Sequence, residues 1–103
     1  MYTITTVTVR PDTGVSFNDD SAEADTIYDA MSVARKAHAG YVSSTHTTSP
    51  DGLTKTSVLT WADKASADEF RTDFKHLFDA LNAVKEAHKD AVGLVITQTT
   101  SGS

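Results

Sequence analysis

Histidines are the first side chains to consider for chemistry, because the imidazole titrates close to neutral pH and can carry a proton or bind a metal. The chain has four. His38 and His88 each follow an alanine near the end of a helical pattern, where a cation meets the negative end of the helix dipole. We prefer this local role to that of a proton shuttle or haem ligand. His76 lies on a charged helix face and is expected to be solvated. No two histidines are three or four residues apart, so no single-helix metal site is predicted.

The candidate ligand-binding residues are three aromatic side chains and the remaining histidine: Tyr28, Tyr41, His46 and Trp61. Ligand pockets are lined mostly by apolar and aromatic side chains with a few polar groups. The aromatic residues also suit core packing between a sheet and a helix, and Tyr41 and Trp61 suit a hairpin edge at an interface. His46 lies between threonines of a predicted hairpin, where solvent exposure is the commoner outcome.

Side chains with oxygen ligands cluster at Asp12, Asn18, Asp19 and Asp20, a set that suits a hard cation. Their spacing lacks the alternation of a calcium loop, and turns and helix caps account for them, so no metal is predicted. The chain contains no cysteine, which excludes disulfides, thiolate ligands and a cysteine nucleophile. There is no Gly-rich phosphate loop and no GxSxG motif, and no cofactor is predicted.

The charge and length of the chain restrict its partners. Its 103 residues suit one domain, and 14 acidic against nine basic residues give a net charge of −5. An acidic chain without a basic run is a poor ligand for nucleic acid or an anionic membrane. No apolar run approaches the roughly 20 residues of a membrane span, and no signal-peptide pattern is present. We therefore expect a cytoplasmic protein.

The first half of the sequence predicts a strand, a turn and a helix. Residues 2–10 alternate threonine with β-branched apolar residues, and a slip in this alternation between Ile4 and Val7 suggests a bulge. A turn over 11–14 follows, with a possible short return strand at 15–17. The first helix is capped by Asp20 or Ser21 and carries an apolar stripe to His38. Gly40 is expected to end it as a left-handed cap.

The second half predicts a hairpin, a helix and a strand. Strands over 41–48 and 53–61 flank the turn sequence SPDG. One continuous helix then begins at a capping box headed by Ser66 and buries a stripe of apolar residues, while Lys85 lies on its polar face. The segment 91–100 is apolar on both faces, which predicts a strand buried on both sides or in a dimer interface.

The order strand, helix, strand, strand, helix, strand is that of the ferredoxin-like split βαβ arrangement. The predicted fold is therefore α+β, with a four-stranded antiparallel sheet and two helices on one face. Residues 1–100 form a single domain, and residues 101–103 form a disordered tail.

The stretch LTWADKASADEFRTDFKHLFDAL resembles the third strand and second helix of the dimeric α+β barrel superfamily, which includes the antibiotic-biosynthesis-monooxygenase-like proteins. Trp61, Phe70, Phe74 and Leu77 fit the pattern of a strand ending in tryptophan before an amphipathic helix with aromatics. The resemblance implies a homodimer whose sheets pack into a barrel, with a pocket between each sheet and its helices. The haem-degrading members use an asparagine on the first strand, a tryptophan on the second helix and a histidine further along. Here the first strand offers only threonine, isoleucine and valine, Phe70 stands where the tryptophan would be, and Ala80 stands near where the histidine would be.

Two hypotheses of function follow. The first is a homodimeric module for assembly or small-ligand binding without catalysis, because no convergent catalytic set is present. Its partners would be a second copy of itself through the sheet face and a small apolar molecule. The second is a cofactor-independent monooxygenase acting on an aromatic or polyketide-like molecule, which the resemblance alone implies.

Overall fold

Four antiparallel strands form one sheet, with three helices packed on one of its faces. The computed structural model describes all residues, 1–103. The elements are β1 (Tyr2–Val9), α1 (Ala22–Ala37), β2 (Tyr41–Thr48), β3 (Thr54–Trp61), α2 (Lys64–Asp73), α3 (Lys75–Val92) and β4 (Val95–Gly102). The sheet order is β2-β3-β1-β4. This confirms the predicted ferredoxin-like α+β fold, although the second helical segment is divided. None of the three helices is long and apolar enough to span a bilayer.

The central strand β1 is regular, which corrects the bulge predicted within it. Its residues pair without interruption with both β3 and β4. The register shift lies instead in β2, between Tyr41 and Ser43. The predicted return strand after the first turn is absent. That loop is held by Arg10, which donates from Nε to the Gly52 carbonyl at 2.7 Å and lies 4.2 Å from the centre of the Phe17 ring.

Helix α1 begins at the Ser21 cap, whose hydroxyl accepts the N–H of Ala24 at 3.2 Å. The helix ends at Ala37, and the expected left-handed cap at Gly40 is wrong because its φ is not positive. A close approach explains glycine there, since a Cβ at Gly40 would overlap the Ser66 side chain. The left-handed glycine cap belongs to α3, at Gly93 with φ of 79°.

The predicted β2–β3 hairpin is confirmed, including its turn. The Gly52 N–H donates to the Ser49 carbonyl at 2.9 Å, and Gly52 has φ of 76°, a conformation that glycine adopts without the strain a Cβ brings.

The second helical segment is two helices rather than one. It begins two residues before the predicted Ser66 cap, because Asp63 accepts the Ser66 N–H at 2.7 Å. The helical path bends at Phe74, whose φ and ψ are −114° and 31°. The bend lies among three neighbouring aromatic rings: the Phe70 ring centre is 4.9 Å from that of Phe74, which is tilted against it, and 5.7 Å from that of Phe78, which meets it edge to face. Neither glycine nor proline marks this position, so the pattern alone predicted one helix.

Strand β4 lies at a sheet edge and differs from its prediction in two ways. It pairs with β1 through Gly102, opposite Tyr2, so it includes part of the segment expected to be a disordered tail. The free edge of β1 supplies backbone partners for those residues. Nor is β4 buried on both sides within the chain, since Val95 is 60% exposed.

The core is concentrated at one end of the molecule, where β3 runs into α2. Trp61 and Phe70 are almost completely buried there, with ring centres 5.2 Å apart. Met31 from α1 and Leu81 from α3 complete this end. Away from it, the helices cover the sheet less closely, and the space between them is described next.

Candidate functional site

A cavity of about 780 Å³ lies between the sheet and helices α1 and α3. This volume is within the roughly 300–1,000 Å³ of typical small-molecule sites. Every second residue of the strands lines it, because successive side chains point to opposite faces of a sheet. The lining side chains of β1 are Tyr2, Ile4, Thr6 and Thr8, and those of β3 include Lys55, Ser57, Leu59 and Trp61.

One end of the cavity is apolar and aromatic. Trp61 and Leu59 line it from β3, and Phe70, Phe78 and Leu81 from the helices. The indole Nε1 of Trp61 is buried without a hydrogen-bond partner. A buried donor without an acceptor costs free energy. The end therefore combines apolar walls with one unsatisfied N–H that is itself closed to solvent.

The other end is polar, and the change follows the strands. Along the cavity face of β3 the residues pass from Trp61 through Leu59 to Ser57 and Lys55. The adjacent face of β1 passes from Ile4 to Thr6, opposite Ser57. His46 of β2 completes this end, with Nδ1 2.8 Å from the Ser57 hydroxyl.

Three half-buried cations line the cavity from three different elements: Arg35 of α1, Lys55 of β3 and Lys85 of α3. Burial lowers the pKa of each. The neighbouring charges of Lys55 and Arg35 lower the pKa of Lys85 further. None of the four ion pairs of the chain includes any of the three.

Three of the four candidate residues line the cavity: Tyr28, His46 and Trp61. Burial, followed by the charge of Asp19, raises the pKa of Tyr28. His46 is exposed, as expected, and sits at the polar end. Tyr41 does not line the cavity. Its hydroxyl is 2.8 Å from the Ser44 hydroxyl, and its ring packs edge-on against Trp61 at 6.3 Å.

Two of the other three histidines, His38 and His88, connect distant segments of the chain. His38 caps α1, and its Nδ1 accepts the Gly40 N–H at 3.0 Å while Nε2 lies 3.1 Å from a Glu69 carboxylate oxygen. The Nε2–H of His88 donates to the Ser16 carbonyl at 2.8 Å and so holds the long loop. Both residues join distant segments, a role beyond the local dipole effect predicted from their position. His76 is exposed on α3, as predicted.

The acidic cluster forms turns. Asp12 accepts the Gly14 N–H at 2.8 Å, and Asp19 accepts the Ser21 N–H at 2.9 Å just before α1. The Ser21 backbone bond lowers the pKa of Asp19 more than any other contact does. These contacts are the ones expected if the acidic residues form turns and helix caps.

Sequence reasoning missed the three cavity cations and placed Lys85 on the polar helix face. The spacing of these residues in the sequence nevertheless indicated that they face the cavity. Lys85 lies four residues after the buried Leu81, and Arg35 lies four residues after the buried Met31. Side chains at this spacing share a helix face. Lys55 likewise shares the strand face of Leu59 and Trp61. Each cation thus continues an apolar stripe instead of opposing it.

The electrostatics of this end predict a low pKa for His46. The part of the His46 side chain that is desolvated beside the cavity lowers its pKa below the ordinary 6.5. The charges of Lys55 and Arg35 lower this pKa further. We expect an NMR titration to give a pKa below 6.5, and a Lys55→Met variant to raise it. The unfolded chain binds this proton more tightly, so His46 reduces stability as the pH falls below about 6.5. Lys75→Met, which removes a lysine paired with Asp79, is the control and leaves the His46 pKa unchanged. An unchanged His46 pKa in Lys55→Met would contradict this electrostatic picture.

The ferredoxin-like fold of the chain is shared with solved structures that include antibiotic-biosynthesis-monooxygenase-like proteins, in agreement with the fold that the resemblance implies. Among solved structures it is similar to SnoaB, a cofactor-independent oxygenase from Streptomyces nogalater, with 12% identity over 99% of this chain and 91% of that one and a TM-score of 0.59. An antibiotic biosynthesis monooxygenase is 13% identical over 100% and 98% of the two chains, with a TM-score of 0.60. A dimeric ferredoxin-like protein from an uncultured marine organism is 12% identical over 97% and 92%, with a TM-score of 0.53. No protein-family model and no curated protein matches the chain.

Proposed function

We propose that the chain is a small-molecule-binding module that acts as a homodimer without catalysis. The cavity carries this proposal. Its volume suits a small molecule, and its walls combine apolar side chains with a limited set of polar groups. The lining holds one hydroxyl beside a base, Ser57 at 2.8 Å from Nδ1 of His46, but no carboxylate pairs with this imidazole to complete a catalytic triad, which favours binding over catalysis.

The outer face of the sheet supports self-association. No helix covers this face, which carries threonines of all four strands and Val7 of the central strand. Threonine and valine side chains are β-branched and pack well across a sheet. A second copy is the occupant that fits best, because the face presents methyl groups and hydroxyls and few charges, so it is self-complementary. The dimeric ferredoxin-like neighbour uses the same fold.

A cofactor-independent oxygenase is the second candidate. Its support is the fold shared with SnoaB, described as such an oxygenase, together with His46 at the cavity. A base that is neutral at physiological pH is suited to ionising a phenolic substrate. Oxygen consumption in the presence of an aromatic phenol distinguishes this candidate, since a binding module consumes none.

Filling the cavity tests the binding proposal. Thr6 lines the cavity near the middle of β1, and a phenylalanine there occupies the space of a ligand. We expect Thr6→Phe to weaken binding of the neutral dye N-phenyl-1-naphthylamine about tenfold or more, because close-packed interiors do not yield volume readily. The control is Thr26→Phe, at an exposed position of α1 outside the cavity, which leaves the dye affinity unchanged. Equal affinity in both variants, or no binding to the parent chain, would refute the proposal.

A further inference from the structure

The distribution of charge in this molecule is uneven. The chain has nine lysines and arginines and fourteen acidic residues, yet five of the former and only three of the latter line the cavity. The three lining carboxylates are Asp25, Asp29 and Asp68, all exposed, and Asp68 is already paired with Lys64 at 2.8 Å. The cavity is therefore net cationic inside a net anionic protein.

The three half-buried cavity cations line one cavity without pairing with a carboxylate. Arg35, Lys55 and Lys85 come from separate elements, so no local sequence effect groups them. The charges that act on Lys85 are those of Lys55 and Arg35, and the charges that act on His46 are the same two. Half-buried cations without counter-ions destabilise a fold unless an anion completes them. The three cations that carry this energetic cost all lie at one open cavity.

We propose that the cavity binds an organic anion, whose anionic head group is held by Arg35, Lys55 and Lys85 and whose apolar body lies against Leu59 and Phe78. This inference rests on the proposed binding function and names its ligand class. The Ser57 hydroxyl and His46 lie beside the head-group position and add hydrogen-bond donors. A guanidinium and two ammonium groups suit a carboxylate, a sulfonate or a phosphate.

Two dyes with one ring system test the inference. The anionic probe is 8-anilinonaphthalene-1-sulfonate, and N-phenyl-1-naphthylamine is its neutral counterpart without the sulfonate. We expect Lys85→Met to weaken binding of the anionic dye about tenfold, or about 1.4 kcal/mol, while binding of the neutral dye changes less than about twofold. Lys75→Met removes the same charge from the exposed face of α3, where the lysine is paired with Asp79 at 2.7 Å, and leaves both affinities unchanged.

The outcomes separate this inference from the proposed function. If Lys85→Met and Lys75→Met affect the anionic dye equally, the cavity does not select an anion and the inference fails, while binding of the neutral dye still supports a ligand cavity. If neither dye binds the parent chain, both proposals fail. Lys85→Met removes an unpaired, half-buried charge, so its thermal midpoint is expected to be no lower than that of the parent. Lys55→Met provides a second variant with the same expected dye selectivity.

The head group is identified by displacement of the anionic dye. Decanoate and decyl phosphate share an apolar chain and differ in the anion, and 1-decanol has the same chain without charge. We expect at least one of the two anions to displace the dye at a concentration about tenfold below that of the alcohol. The stronger of the two identifies the head group. Displacement by the alcohol at the same concentration as both anions would overturn the inference.

Discussion

A Phe70→Ala variant is expected to lose about 3–5 kcal/mol of unfolding free energy. Phe70 is 2% exposed. Its ring centre lies 5.2 Å from Trp61, 4.9 Å from Phe74 and 5.9 Å from His38, so its removal opens a void among three neighbouring rings. Aromatic residues in such clusters contribute both burial and ring contacts. The loss is a large part of the roughly 5–15 kcal/mol that stabilises a typical domain.

Urea unfolding followed by tryptophan fluorescence measures this loss at one protein concentration, because Trp61 is the only tryptophan. Phe17→Ala is the matched control. Phe17 lies in the loop after β1, under the guanidinium of Arg10, and its loss is expected to cost about 1 kcal/mol or less. A cost for Phe70→Ala no larger than that of Phe17→Ala would show that the aromatic end is not the core of this fold.

A Val7→Glu variant is expected to be a folded monomer. Val7 lies on the uncovered sheet face of β1, opposite Thr56 of β3 and Thr97 of β4, so it is near the centre of the surface proposed to join two copies. In a two-fold symmetric dimer the substitution is present at the interface in both copies. Two unpaired carboxylates buried there cost several kcal/mol, and the dimer dissociation constant is expected to rise about a hundredfold or more.

Analytical ultracentrifugation over a concentration series measures this change, and circular dichroism verifies the fold. Val33→Glu is the control, because Val33 is 71% exposed on α1, away from the sheet face. It should leave the dissociation constant of the parent unchanged. A parent chain that is monomeric at every concentration, or a Val7→Glu dimer as tight as the parent, would remove the sheet face as the dimer interface.

The order of helices and strands could be predicted because it depends on the periodicity of apolar residues and on the residues that mark turns. Threonine alternates with β-branched residues in β1, and SPDG marks the hairpin turn, so both strands of β2–β3 follow from local chemistry. The bend at Phe74 could not be predicted, because it depends on how Phe74 and Phe78 pack around Phe70, which in turn contacts Trp61. No glycine or proline marks it in the sequence.

Glycine roles were the least predictable local feature. Gly40 and Gly93 both follow a helix, but a left-handed cap was expected only at Gly40, and Gly93 fell within the strand predicted over 91–100. The difference arises from tertiary structure, since Gly40 is required by the approach of Ser66 from α2, and nothing approaches Gly93 within 4 Å.

The cavity was partly predictable. Tyr28, His46 and Trp61 were identified by residue type, and each lines it. Lys85 was assigned to solvent because lysine is usually exposed, although its spacing from Leu81 places it on the inner face. The assignment followed the usual exposure of lysine, whereas the position of Lys85 along the helix gave the correct face.

The central claim is that the cavity between the sheet and the helices holds a small molecule, and Trp61 reports on it directly. The single tryptophan gives one indole cross-peak in a ¹H–¹⁵N correlation spectrum, which needs no assignment. The N–H has no hydrogen-bond partner in the unliganded chain. We expect titration with N-phenyl-1-naphthylamine to move this peak saturably, at the affinity given by dye fluorescence. A peak that stays fixed while the dye fluorescence saturates would place the dye elsewhere and contradict the account.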